Sequence, residues 1–439
     1  MEQKTLIYNA RLIDEGMDRE NSALLIADGK IERILTNEEA APIMQAAGTD
    51  LFDAHGLVVM PAFIDMHAHF RDPGLTQKED VESGSRAAVA GGFGTLVLMP
   101  NTNPVISSQD AAIANNRRGA QIGLADLIQS VSITRDFGGT DISHLNELDK
   151  KIVPLITEDG HEVQDSAVMY EAMTIAARKG IIVSCHCEDP FLAAAARPLR
   201  KTALEELSKG NREEAARLLA RADELLRLAE DTATDRNIRL AAAAGCHLHL
   251  CHVSTAHCLE SAVRAKKAGQ KLSLEVTPHH IGLTGSTMPD IFNIVNPPLR
   301  AEDDRQALIA ALKSGDADAI STDHAPHTMQ DKKSGSPGFS GLETAFAVCH
   351  TNLVLGGVMD LRTLSARMSA SPARLLSLGD RGFLKAGYRA DLAVVDTGRI
   401  WTVRGEAFCS KGKFSPWENR ELTGKVTASF HSGRKVYES

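Results

Sequence analysis

The stretch Val58-Val59-Met60-Pro61-Ala62-Phe63-Ile64-Asp65-Met66-His67-Ala68-His69-Phe70-Arg71-Asp72-Pro73-Gly74 decides how this chain is read. Its apolar start, over 58–65, predicts a buried strand. Where that strand ends, two histidines stand one residue apart and an arginine follows. Strand side chains alternate, so His67 and His69 point the same way. Packing alone gives no reason for two imidazoles and a guanidinium at the end of a buried strand.

Moving outward, similar runs recur at 95–100, 126–134, 151–157, 180–186, 246–253, 271–277 and 317–323. Many are apolar on both faces, as strands of a buried parallel sheet are. Amphipathic segments, 166–180 and 255–270 among them, lie between the runs and end near glycine. Eight strand–helix units over about 250 residues predict an α/β fold, a (β/α)8 TIM-type barrel, with a doubly wound open sheet as the rival. The two ends differ from the middle. Residues 1–57 and 384–439 read as short strands and turns, and neither piece has enough core alone. They are expected to pair into one small β-sandwich domain beside a barrel spanning 58–383. Residues 197–243 are rich in Ala, Leu, Glu and Arg and predict two or more helices, broken at Lys209-Gly210-Asn211. Such a charged face is usually solvated; a partner-binding face is the alternative.

Composition narrows the class. The chain has 439 residues, 43% of them hydrophobic, enough for one large domain with an accessory one. No apolar run approaches the roughly 20 residues that span a bilayer, and the start lacks a secretory core. A cytoplasmic protein is expected, with no membrane partner. The net charge of −9 argues against a nucleic-acid surface but leaves room for a small anion held by a local arginine. Seven cysteines at irregular spacing suggest free thiols, not a disulfide framework.

In a barrel, active sites form where strands end. The polar residues there are few: His67 and His69, then Glu158 and Asp159, His186, His252, and Asp323 with His324 and His327. Imidazoles and carboxylates converging on one mouth suit a borderline metal ion such as zinc. Such an ion lowers the pKa of a bound water to about 7. A lone His-x-His pair is common by chance, so the reading rests on the whole set. By alternation, Cys185 and Cys187 face away from His186 and are packing residues, and His247 and His249 are expected to be structural. Arg71 fits either a surface ion pair or a clamp on a substrate carboxylate. Asn101 and Asn296 are equally turn residues or ligand contacts. Thr76 and Glu79 have capping-box spacing and are expected to start the next helix. The polar stretch 328–341 is either a lid over the site or an ordinary loop. There is no phosphate-binding loop and no nucleophile elbow.

Taken in order, Asp65–Gly74, Met99–Thr102, Thr157–Gly160, His186–Asp189, His252–Thr255, Glu275–His280, Asn296–Arg300 and Asp323–His327 resemble the long bacterial (type I) dihydroorotases of the amidohydrolase superfamily. The resemblance covers nearly the whole chain. It implies one or two Zn2+ ions per subunit. His67, His69 and Asp323 would bind the more buried ion, and His186 and His252 the second. Asp159 would stand where many relatives bridge the metals with a carboxylated lysine. It also implies that Arg71, Asn101 and His327 hold the substrate carboxylate, with Asn296 on the ring. The implied reaction is reversible cyclisation of N-carbamoyl-L-aspartate to L-dihydroorotate through metal-bound hydroxide, with Asp323 as the catalytic proton carrier. A homodimer is expected, and aspartate carbamoyltransferase is a candidate partner. The alternatives are another cyclic amidohydrolase, of allantoinase or hydantoinase type, or a non-catalytic companion of that transferase. The helical stretch at 197–230 is longer than the resemblance leads one to expect.

Overall fold

The computed structural model describes residues 4–287 and 290–439. The first three residues of the expected 1–57 segment therefore lie outside the described residues. Eight parallel strands form the barrel: Phe63–Ala68, Phe93–Leu98, Asp126–Gln129 continuing as Val131–Ser132, Leu155–Thr157, Ile182–Cys185, His247–Leu250, Leu272–Val276 and Ala319–Ile320. A parallel bridge between Ala68 and His324 joins the last strand to the first. The open-sheet rival is thereby set aside.

The run expected as one strand over 58–65 is two. Val58–Pro61 belongs to a different sheet, paired with Lys4–Asp14 and Leu392–Thr402. The barrel strand starts at Phe63. Ala62 is the hinge, its N–H held by Asp391 O at 2.8 Å. Sequence could not divide the run, because both halves are buried and apolar. The second sheet is built from both chain ends, in the spatial order Arg434–Glu438, Glu421–His431, Leu392–Thr402, Val58–Pro61, Lys4–Asp14, Met17–Ala27, Lys30–Thr36; Thr49–Asp53 also pairs with Lys4–Asp14. It closes over its own core, which includes Ile7, Leu24, Ile31, Val59, Leu392 and Phe430.

Several barrel strands are shorter than the apolar runs that predict them: Leu155–Thr157 starts four residues late, and His247–Leu250 and Ala319–Ile320 stop three residues early at their C-terminal ends. There the chain leaves sheet geometry to present polar side chains inward. Non-glycine residues at this mouth take positive φ, among them Arg71 (57°), Cys187 (53°), His252 (31°) and Asp323 (48°). Such backbone persists only where the surroundings enforce it. Gly74 illustrates the crowding: a Cβ there would sit 1.7 Å from Asn103 O. Only glycine lets the loop after the first strand cross the loop after the second.

The stretch expected to be helical is an α-hairpin, Pro190–Ser208 and Arg212–Ala244, turned at Lys209-Gly210-Asn211. The longer helix is not a free rod. Buried Glu230 accepts hydrogen bonds from Ser254 N (2.8 Å) and Arg300 Nη2 (3.0 Å). That ties the hairpin to the loop just after His252.

Candidate active site

His67 and His69 reach the barrel mouth together. A register shift between Asp65 and Ala68 breaks strict alternation just before them. Each imidazole is oriented from behind. His67 Nδ1 lies 2.9 Å from Glu275 Oε1, and His69 Nδ1 lies 2.9 Å from Asn101 Oδ1. A carboxylate and an amide oxygen can only accept. Both rings therefore carry a proton on Nδ1 and, when neutral, present a lone pair at Nε2.

Those lone pairs face carboxylates. His67 Nε2 is 3.3 Å from Asp159 Oδ1 and 3.6 Å from Asp323 Oδ1. His69 Nε2 is 3.2 Å from Asp323 Oδ1 and 3.5 Å from Asp159 Oδ2. His186 Nδ1 completes the ring, 3.6 Å from Asp159 Oδ1 and 2.9 Å from His252 Nε2. Lone pairs and anions repel unless a cation lies between them. Ligands around a tetrahedral zinc at about 2.1 Å would be separated by about 3.4 Å. The observed separations match that edge length. The buried atoms His67 Nε2, Asp159 Oδ1 and His252 Nδ1 have no hydrogen-bond partner among the described residues. The donor set thus fits a divalent ion, held by His67 with His69 and Asp323 and by His67 with Asp159 and His252.

The electrostatics agree at Asp323 and His252, whereas at His67 and His186 burial is outweighed by the adjacent Asp159 carboxylate, which pushes both imidazoles up. Burial works against charge on Asp323, but the imidazoles beside it, His69 first and then His67, outweigh it. They hold its carboxyl well below the usual range. Burial and neighbouring His186 and His67 pull His252 down to about 3, leaving it a neutral, ligand-competent ring.

Three polar residues stand at the rim with a buried atom unused: Arg71 Nε, Asn296 Oδ1 and His327 Nδ1. Arg71 makes no ion pair among the described residues, so the surface ion-pair reading of it does not hold. Asn296 Nδ2 donates to Glu188 Oε2 (2.5 Å) and lies 3.3 Å from His186 Nε2. Asn101 sits differently from the other three. Its oxygen serves His69, and its nitrogen donates to Asp159 Oδ2 at 3.2 Å. Its amide is engaged with two of the ligand candidates.

Sequence comparison fits this geometry. The amidohydrolase family profile matches residues 58–436. The chain belongs to the amidohydrolase family. A dihydroorotase from Clostridium botulinum is 40% identical over 433 residues, covering 98% of this chain and 99% of that protein. A dihydroorotase from Aquifex aeolicus is 35% identical over 443 residues, covering 99% of each. In three dimensions, an L-hydantoinase (dihydropyrimidinase) from Arthrobacter aurescens superposes with a TM-score of 0.86 at 24% identity, over 100% of this chain and 96% of that one. That likeness shows the shared barrel fold.

Several supports of this amidohydrolase site are not visible in the sequence pattern. Glu275 bridges His67 and His249, with His249 Nε2 at 3.0 Å. A carboxylate inside the apolar strand Leu272–Val276 was the available signal. Glu79 was expected as a helix-start residue. The cap of helix Val81–Ala90 is instead Asp80 with Ser83. Glu79 is fully buried and lies 3.3 Å from His324 Nε2, because the loop carrying it folds under the last strand. Cys251 belongs to the same layer beneath the mouth. Its Sγ sits 2.9 Å from Ser184 Oγ and groups with His67 and Glu275. The positive φ at His252 falls just where strand alternation would have predicted its direction.

Proposed function

We propose that this amidohydrolase is a dihydroorotase, closing N-carbamoyl-L-aspartate to L-dihydroorotate and reopening it in pyrimidine synthesis. The observation that carries the reading is Arg71, half-buried, with a buried and unpartnered Nε and no ion pair among the described residues, beside the converging His67, His69, Asp159, His186, His252 and Asp323. That pairing suits a substrate with a carboxylate next to a cyclic amide. The curated relatives at 35–40% identity bear the same name.

The six ligand candidates suit zinc, one or two ions per subunit, since imidazole and carboxylate are its common donors. When bound, zinc supplies a Lewis acid and lowers the pKa of water. The chain's own residues do the rest. Asp323, held ionised, takes a proton from the attacking water and passes it to the leaving ring nitrogen. Closure runs the same transfer backwards. Arg71 and His327 hold the carboxylate, and Asn296 contacts the ring. Asn101 keeps His69 in its productive tautomer and lies beside the same carboxylate.

A second reading is a hydantoinase-type activity, favoured by the structural neighbours. Those cyclic amides lack the exocyclic carboxylate, and Arg71 would then have no partner. Loss of dihydroorotate absorbance, with metal content measured on the same sample, tests the choice. Turnover abolished by chelation and restored by zinc is expected. Turnover of hydantoin but not dihydroorotate would replace the proposal, and bound metal without any turnover would favour the non-catalytic companion. Among the described residues no helix is long and apolar enough to cross a membrane, and all seven cysteines are unpaired, which suits the cytoplasm. A homodimer, alone or docked on aspartate carbamoyltransferase, completes the proposal and is read by size-exclusion chromatography with and without the transferase.

A further inference from the structure

Lys332 has no part in this chemistry, yet its side chain is fully buried. It pairs with no carboxylate among the described residues. Its Nζ instead donates to three carbonyls: Gly338 O at 2.8 Å, Ser336 O at 2.9 Å and Ile294 O at 3.4 Å. An ammonium has three hydrogens, and each finds one acceptor. A buried charge is costly unless it is fully hydrogen-bonded, so the arrangement calls for a purpose.

The carbonyls are telling. Ser336 and Gly338 flank Pro337, whose own carbonyl lies 2.9 Å from His327 Nε2. A carbonyl only accepts, so Nε2 carries the proton of His327. Its Nδ1 is thereby presented, buried and without a hydrogen-bond partner, with Asp331 Oδ2 3.9 Å away. Ile294 is two residues from Asn296, whose Oδ1 is likewise buried and unused. Gly338 N donates to the same Ile294 O at 2.9 Å. One ammonium therefore stitches together the two loops that carry Asn296 and His327. The stretch 328–341, which in sequence fits a lid or an ordinary loop, contains this anchor on helix Met329–Lys333.

We propose that Lys332 is a positioning residue for substrate recognition: it fixes the Pro337 carbonyl, through it the tautomer of His327, and with it the spacing between His327 and Asn296. This rests on the dihydroorotase reading for its kinetic consequence, though not for its structural one. Lys332 acts through His327 and touches no substrate.

Two readouts test it on the full-length, zinc-loaded protein. First, long-range proton–nitrogen spectra of histidine-labelled protein, assigned with H327N, should show His327 as the Nε2–H tautomer. In K332M that signal should shift toward mixed tautomers. An unchanged tautomer in K332M overturns the proposal, whatever the enzyme turns over. Second, K332M should raise KM for dihydroorotate at least about tenfold while kcat changes less than about threefold. In an H327N background the same substitution should add almost nothing, because the two act through one contact. Additive losses, or a loss confined to thermal stability with KM unmoved, overturn it. If K332M does not fold, K332Q, which keeps two of the three donors, is read in the same way. Absence of dihydroorotate turnover by the unaltered protein would count against the functional reading alone, leaving the tautomer measurement to decide Lys332.

Discussion

The two ends of the barrel are built from the same strands but are opposites. At the N-terminal end, Ile64, Met66, Val97, Leu155, Ile182 and Ala319 close around Ala373 and Leu376 in an apolar plug. Its polar groups are matched: Arg381 pairs with Asp126, and Lys266 pairs with Asp318 at 2.8 Å. At the C-terminal end, imidazoles face carboxylates, and buried nitrogens and oxygens lack hydrogen bonds. Buried polar groups are normally satisfied. Both ends keep some buried polar atoms without hydrogen bonds, but at the N-terminal end Arg389 Nε and His431 Nδ1 pair with Asp391 at 3.2 and 3.3 Å, whereas at the mouth several imidazoles and carboxylates converge on one point. The contrast locates the site without reference to any relative.

The largest expected effect breaks the mouth. Asp323→Asn keeps the shape but removes the proton acceptor, and kcat should fall roughly a thousandfold or more with folding intact. Turnover within tenfold of the unaltered enzyme would take the role from Asp323. The next effect belongs to the plug. Leu376→Ala should cost about 2–5 kcal/mol of stability by opening a cavity, with KM and kcat of the folded fraction unchanged; denaturant melts and kinetics on one preparation check both halves. A kinetic defect there would mean that the two ends are coupled. Arg71→Met should raise KM for dihydroorotate roughly ten- to a hundredfold, by the value of a charged hydrogen bond, with a smaller change in kcat. An unaltered KM would show that the carboxylate binds elsewhere. Glu275→Gln is milder still. It should weaken zinc binding roughly tenfold or more, because the amide no longer fixes His67 with its proton on Nδ1. Competition with a calibrated chelator measures this, and undiminished affinity would make Glu275 a packing residue.

Much of the mouth is legible in the amino-acid sequence. The ends of the apolar runs point to His67, His69, Asp159, His186, His252 and Asp323, because a parallel barrel puts strand ends on one rim. The residues behind them are not legible. Glu275 is 208 positions from the His67 it orients, and Glu79 is 245 from His324. Spacing carries information only within one strand or one helical turn, so it reports the capping pattern at Thr76 and Glu79 and misses what Glu79 does. The division at Ala62 is hidden for a related reason: two consecutive strands of different sheets, both buried, read as one apolar run.

The sequence by itself determined the alternation of strands and helices, the ligand types at the strand ends and the α-hairpin turned at Gly210. These follow from local periodicity and residue chemistry. Only the tertiary structure decided which nitrogen of each histidine faces the centre, that Arg71 is left without a counter-ion among the described residues, and that Lys332 joins the loops that carry Asn296 and His327. Each of those depends on how the chain closes around a residue, for Lys332 on Ile294 as well as on its near neighbours Ser336 and Gly338.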